Sequence, residues 1–259
     1  MKPEEILEIF QRIRQKRPLI HMIPNAVSAS LCADGLSALG ASPLMAVAPQ
    51  EMAEIVAQSD GIVVNLGQLT QEKHTAARLA LETAGKVNKP VVLDPVGCGA
   101  STFRLETVQE LLEVQWTGII KGNQSEVYSM QQGILTREGI DARVERQLST
   151  PLCEERIFLV SGEVDQILWK DNSQKLWKKK PRKYNIVGTG CLLGAMAGAC
   201  HSIEKEPKRA AMAAALGMMY AIEKADSAQG YGQAKEFLLN ALEQLDKEAF
   251  SDWMKGKEE

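Results

Sequence analysis

The chain has little of what marks several common protein classes. Its five cysteines, Cys32, Cys98, Cys153, Cys191 and Cys200, are odd in number and contain no C-x-x-C pair, which argues against a disulfide framework and against a zinc ribbon. Residues Met1 to Arg17 are charged and amphipathic and hold no apolar signal core, so no secretory peptide is expected. The longest apolar run, Ala210 to Ile222, is too short to cross a bilayer. A formal net charge of −3 gives no global attraction to nucleic acid or to an anionic membrane. His21, His74 and His201 are scattered and suggest no metal cluster. There is no Walker A pattern and no G-x-G-x-x-G after a strand, which disfavours a P-loop or a Rossmann cofactor site. Repeats, low-complexity segments and linkers are also missing. These absences point to a soluble, cytoplasmic protein that works on a small molecule.

What is present is enough apolar material for one sizeable core. With 259 residues and 45% hydrophobic residues, the chain is expected to form a single domain over residues 1–259. Apolar spacing after Pro3 predicts a helix that Pro18 stops, followed by a strand at residues 19–23. Further short apolar runs at 61–65, 90–94, 117–121 and 157–161 read as strands. Helical patterns at 26–39, 70–87, 102–113 and 124–131 lie between them. Strands buried on both faces and alternating with helices indicate a largely parallel central sheet in a layered α/β fold. Later segments read as a hairpin, 164–169 and 175–179 around Asp171-Asn172-Ser173, and as helices at 191–203, 207–225 and 231–247, with Lys255 to Glu259 as a solvated tail.

The most informative stretch is Val187-Gly188-Thr189-Gly190-Cys191, which runs into a small, apolar helical sequence. Glycines allow close backbone approach, and the first N–H groups of the helix have no partners within it. Together with the positive end of the helix dipole, they form an anion site suited to a phosphoryl group in transfer, with Cys191 facing it. A thiol at a helix N-terminus is also favoured as thiolate. The strand ending Leu93-Asp94-Pro95-Val96-Gly97 brings an acid to its carboxyl end, where ligands of open α/β sheets bind. Asp94 there can serve magnesium or merely cap a turn. Lys121-Gly122-Asn123-Gln124-Ser125-Glu126 repeats the pattern: Lys121 can pair with phosphates, while Glu126 is either a metal carboxylate or an acid suited to a first helical turn. Ser161, Gly67 and Asn25 fall on or near other strand ends, and Met45 can cover a small aromatic ring. The basic run from Lys175 to Lys183, with Trp177 and Pro181 inside it, reads as a protected edge strand. The other four cysteines read as structural.

Taken in order, Pro18-Leu19-Ile20-His21 through Asn25, Gly40-Ala41-Ser42-Pro43-Leu44-Met45-Ala46, Asp94-Pro95-Val96-Gly97-Cys98-Gly99-Ala100, Lys121-Gly122-Asn123, Ser125-Glu126, Ser161-Gly162-Glu163-Val164-Asp165 and Gly188-Thr189-Gly190-Cys191 resemble the hydroxyethylthiazole kinase family, a branch of the ribokinase-like fold. The resemblance runs nearly end to end, and a cysteine after the glycine turn is its signature.

The resemblance implies a layered α/β/α architecture and transfer of the γ-phosphate of ATP to 4-methyl-5-(2-hydroxyethyl)thiazole in thiamine salvage. It also implies a Mg²⁺ requirement and a homotrimer with active sites at subunit interfaces. By position, Asn25, Met45 and Gly67 would form the thiazole pocket, with Gly188 lining it. Lys121, Ser161 and the Gly188-Thr189-Gly190 turn would hold ATP, Asp94 and Glu126 would serve Mg²⁺, and Cys191 would face the substrate hydroxyl. The sequence departs from the family at Pro24, Asp34, Ser161 and Val187, where Thr, Asn, Thr and Thr are usual. Two other readings stay open: a related kinase of hydroxymethylpyrimidine or pyridoxal, and a binding protein without turnover.

Overall fold

In this computed structural model, residues 1–136, 148–149, 155–178 and 180–258 are described. The short apolar runs become β1 (Leu19–Ile23), β3 (Gly61–Asn65), β4 (Val91–Asp94), β5 (Gly118–Asn123) and β6 (Arg156–Ser161), joined by β2 (Ser42–Leu44), β7 (Val164–Trp169) and β8 (Asn172–Lys178). They form one sheet in the order β2-β1-β3-β4-β5-β6-β7-β8. The pairs from β2 through β6 are parallel, and β7 and β8 add antiparallel strands at one edge. The parallel strands therefore point their carboxyl ends to a single rim.

The described helices are α1 (Pro3–Lys16), α2 (Ala29–Leu39), α3 (Met52–Gln58), α4 (Gln71–Lys86), α5 (Thr102–Glu113), α6 (Gln124–Gln132), α7 (Thr189–Ile203), α8 (Pro207–Ala225), α9 (Tyr231–Leu242) and α10 (Glu248–Glu258). Alternation along each strand sorts them into two layers, because successive side chains leave a strand on opposite faces. Met22, Val63, Val92, Ile119 and Leu159 pack with α1, α2 and α7 to α10. Ile62, Val64, Leu93, Ile120 and Phe158 pack with α3 to α6. The expected layered α/β/α arrangement is thus present. Helix α7 is apolar all round and lies against the sheet, as a helix without a polar face must. Among the described residues no helix is long and apolar enough to cross a membrane.

Several boundaries differ from expectation for local reasons. Helix α2 begins at Ala29, not 26, because Asn25 Oδ1 accepts from the N–H groups of Val27 and Ser28 and holds them in a turn. The β7–β8 turn falls at Lys170-Asp171, since Trp169 already pairs with Asn172. The helix expected over 231–247 ends at Leu242, and the C-terminal tail is folded as α10 up to Glu258. There Phe250 packs edge-on against Phe10 and Tyr220, and Lys257 Nζ meets Glu223 Oε1 at 2.6 Å. The brief strand β2 and helix α3 escaped the sequence reading. Cys153 and Lys179 lie outside the described residues.

Candidate active site

The site is built where the parallel strands end. Asn25 follows β1, Asn65 ends β3, Asp94 ends β4 and Lys121 lies near the end of β5, while α7 brings its first turn over them. Gly188 caps α7 with φ of +92°, a left-handed conformation that glycine adopts without strain, and a Cβ there would come within 2.9 Å of Ser28 Cβ. The helix starts at Thr189, two residues earlier than expected, so Cys191 sits inside its first turn. A Cβ on Gly190 would lie 3.4 Å from Lys121 Nζ, which places that ammonium directly under the glycine turn.

A chain of polar contacts links these residues. Lys121 Nζ lies 3.2 Å from Asp94 Oδ1, and Asn65 Nδ2 donates to Asp94 Oδ2 at 2.7 Å. Asn65 Oδ1 accepts from Asn25 Nδ2 at 2.9 Å and from the Gly67 N–H at 3.0 Å. Asn25 Nδ2 also reaches Cys191 Sγ at 3.3 Å and Ser28 Oγ at 2.8 Å. The Asn25 carbonyl oxygen is occupied by the Val27 and Ser28 N–H groups, so its amide nitrogen must be the end that faces Asn65 and the sulfur. Gly67 packs so closely on Asn25 that a Cβ would fall 2.9 Å from the Asn25 Cβ, which excludes a side chain at this point.

Burial governs the charges here. It pushes the Asp94 carboxyl up, opposed by the Lys121 ammonium and the Asn65 amide. Burial also pulls Lys121 down, but Asp94, Glu126 and Cys191 more than offset it and leave its value raised, so Lys121 remains a fixed cation. Burial likewise raises Glu126, against the pull of Lys121. The thiols of Cys32 and Cys98 are pushed up to about 12 by burial, and that of Cys200 is also raised, in keeping with structural roles for all three.

Glu126 performs the structural task that its position allows. It closes a capping box with Asn123 at the start of α6: its Oε2 accepts from the Asn123 N–H and its Oε1 from the Gly97 N–H, both at 2.8 Å. Among the described residues no group of three or more His, Cys, Asp or Glu side chains converges on a metal position. Asp94 and Glu126 nevertheless offer hard oxygen donors near the Lys121 ammonium. Each carboxylate oxygen already accepts one hydrogen bond, which leaves its second lone pair for a metal or for metal-bound water. That donor set fits Mg²⁺, which keeps several waters and takes few carboxylates.

Two expected residues stand at the rim without joining this chain of contacts. Met45 follows β2 and packs partly on the core, with the neighbouring Ala46 carbonyl bonded to His21 Nε2 at 3.0 Å. Ser161 ends β6 in register with Asn123, its hydroxyl 3.4 Å from the Gly122 carbonyl, and the following residues form the β6–β7 turn in which Asp165 Oδ1 accepts from the Gly162 N–H. The sequence reading missed Arg182, in the basic run, whose Nη1 lies 3.3 Å from Thr189 Oγ1. It also missed Lys73 and Arg104, because a cation that binds backbone carbonyls leaves no motif. Val187 is 59% exposed, and its N–H meets the Tyr231 hydroxyl at 3.4 Å.

A parallel sheet between two helical layers, with buried charge under a glycine-capped helix at its carboxyl rim, defines a ribokinase-like protein. An ADP complex of Bacillus subtilis pyridoxal kinase shares this fold, with a TM-score of 0.56 and 14% identity over 80% of this chain and 91% of that one. A hydroxyethylthiazole kinase protein from Pyrococcus horikoshii OT3 has a TM-score of 0.79 and 28% identity over 93% of each chain. The Hydroxyethylthiazole kinase family profile matches residues 10–248. Hydroxyethylthiazole kinases from Vibrio atlanticus (strain LGP32) and Exiguobacterium sp. (strain ATCC BAA-1283 / AT1b) are each 36% identical, the first over 98% of this chain and 99% of its own length, the second over 92% and 93%. The chain belongs to the hydroxyethylthiazole kinase family.

Proposed function

We propose that this chain is one ATP-dependent kinase domain that phosphorylates the primary alcohol of 4-methyl-5-(2-hydroxyethyl)thiazole in thiamine salvage. The observation that carries the reading is the unbroken contact chain Cys191–Asn25–Asn65–Asp94–Lys121 beneath the N-terminus of α7. In this reading Asn25, Met45 and Gly67 form the thiazole pocket, lined also by Gly188. Lys121, Ser161 and the turn Gly188-Thr189-Gly190 hold the phosphates of ATP.

The alcohol oxygen forms a bond to the γ-phosphorus as the bond from that phosphorus to the β-bridging oxygen breaks, and ADP leaves. The alcohol's proton passes to Cys191 Sγ, which the Asn25 amide orients. Backbone N–H groups at the start of α7 and the Lys121 ammonium stabilise the charge on the moving phosphoryl group, the larger contribution in reactions of this type. Asp94 and Glu126 would hold Mg²⁺ directly or through water, and the bound ion would neutralise phosphate charge.

The proposal includes a cytoplasmic homotrimer with active sites at subunit interfaces. Support comes from Val27, Val47 and Val187, which are 65%, 49% and 59% exposed and lie within two residues of Asn25, Met45 and Gly188. The direct test is ADP release from Mg-ATP with hydroxyethylthiazole and hydroxymethylpyrimidine offered in parallel. Thiazole-dependent release supports the reading, whereas pyrimidine-only turnover or inert alcohols overturn it.

A further inference from the structure

Lys73 is a buried cation, and among the described residues no carboxylate is bonded to it. It stands in the first turn of α4, its own N–H bonded to the Thr70 cap at 3.1 Å, where the helix dipole disfavours a positive charge. Its side chain does not escape to solvent: the residue is 8% exposed, and Nζ donates to the Pro24 carbonyl at 2.5 Å and the Gly67 carbonyl at 2.6 Å. Burying an ammonium at an unfavourable helix position is costly, and these two carbonyls are what repay it.

Their location gives the contact its meaning. The ladder between β1 and β3 ends at Ile23 and Val64, so pairing no longer fixes the spacing of the two chains beyond that point. Pro24 cannot extend the ladder, because it has no N–H. Lys73 takes over there and ties the residue before Asn25 to Gly67. On the other side Arg104 Nη1 holds the Leu66 and Val96 carbonyls at 2.9 and 3.0 Å, so consecutive carbonyls after β3 are gripped by two different cations. The two segments are held in direct contact, since a Cβ on Gly67 would fall 2.9 Å from the Asn25 Cβ.

We propose that Lys73 is a positioning residue of the acceptor pocket, whose ammonium clamps the Pro24 and Gly67 carbonyls and so fixes Asn25 and Gly67 against each other in the wall that faces the thiazole ring. The inference rests on the reading of Asn25 and Gly67 as pocket residues. Burial pulls the Lys73 ammonium down to about 8; the surrounding charges act in both directions, with Cys191 and Asp94 favouring the ammonium and Arg104 opposing it. The clamp therefore loses its charge, and weakens, in mildly alkaline solution.

The experiment compares the wild type with Lys73→Met and Lys73→Arg, measuring the KM for thiazole, the KM for ATP and kcat from about pH 7 to about pH 9.5, with a thermal melt as folding control. Lys73→Met is expected to raise the thiazole KM about tenfold and leave the ATP KM within about twofold. The wild-type thiazole KM should climb above about pH 8, and that of Lys73→Arg, which stays charged, should remain flat over the same range. An unchanged thiazole KM in Lys73→Met, equal rises in both KM values, or an alkaline climb that survives in Lys73→Arg overturns the clamp. If Lys73→Met does not fold, the pH comparison of wild type with Lys73→Arg decides. Failure of the wild type to use the thiazole at any pH overturns the pocket reading itself, and is seen before any variant is made.

Discussion

The Asn25 amide donates to the Cys191 sulfur at 3.3 Å while its carbonyl oxygen is locked by two backbone N–H groups. The sulfur is thus oriented by a group that is itself unable to flip. In the proposed reaction Cys191 is only part of what the site would offer a phosphoryl group, since the α7 N–H groups and Lys121 would act without it.

Cys191→Ala should therefore lower kcat by about 10²-fold, the lower end of what a positioned proton acceptor contributes, without abolishing turnover. The thiazole KM should change by less than about threefold, because the ring contacts lie elsewhere. Steady-state ADP release checks both values. Complete loss of activity in a folded variant would make the sulfur an indispensable base.

The Asp94–Lys121 pair allows stability and activity to be separated. Lys121→Met leaves the Asp94 carboxylate buried with Asn65 as its remaining bonded partner, and removing one member of a buried pair costs about 3–5 kcal/mol. The double variant Lys121→Met with Asp94→Leu removes both charges and should regain much of that loss in urea denaturation. It should remain inactive, because the cation proposed to face the phosphates is gone. Recovered activity in the double variant would contradict the role given to Lys121.

Asn65 is the joint between the two halves of the site. Asn65→Ala removes the donor to Asp94 and the acceptor for both Asn25 and the Gly67 N–H. Asn25 Nδ2 keeps Ser28 and Cys191, but Asp94 Oδ2 and the Gly67 N–H lose their partner at about 1–3 kcal/mol each, so a loss of about 2 kcal/mol is expected. In a domain of this size that corresponds to a fall in Tm of roughly 4–8 °C. A Tm within about 1 °C of wild type would mean that water replaces the amide at little cost.

The fold was legible because its signals are local and periodic. The continuous apolar runs at 61–65 and 90–94 give β3 and β4 almost to the residue, and α5 falls on its expected span. The glycine turn before Cys191 was legible as the start of α7, through backbone chemistry that needs no partner elsewhere. What could not be read were relationships across the chain. Asn65 was visible only as a strand end, since its value lies in facing Asp94, 29 residues away, and Asn25, 40 residues away. Helix α10 was missed because its apolar residues make sense only against Phe10 and Tyr220. Glu126 carried two readings in the sequence, and the capping box shows that the structural one holds whether or not the carboxylate also serves a metal.

Acid should weaken the fold through two buried histidines. Burial lowers His21 and His201 below the usual imidazole value of 6.5, against hydrogen bonds to the Ala46 and Glu204 carbonyls that favour the charged form. Among the described residues His21 Nδ1 has no hydrogen-bond partner, so a second proton on that ring would be buried unpaired. The unfolded chain takes up these protons first, as pH falls through 6.5, while the folded chain resists until lower pH. Each histidine therefore contributes stability that is present above pH 6.5 and lost as pH falls through its lowered folded value. Asp94 and Glu126 act in the opposite sense, because burial raises both and their contribution is lost as pH rises through the raised values. Comparison with a histidine variant isolates the imidazole part. Urea denaturation of wild type and His201→Gln at about pH 7.5 and about pH 5.5 should show the variant losing less stability on acidification. An equal loss in both proteins would assign the acid sensitivity to groups other than His201.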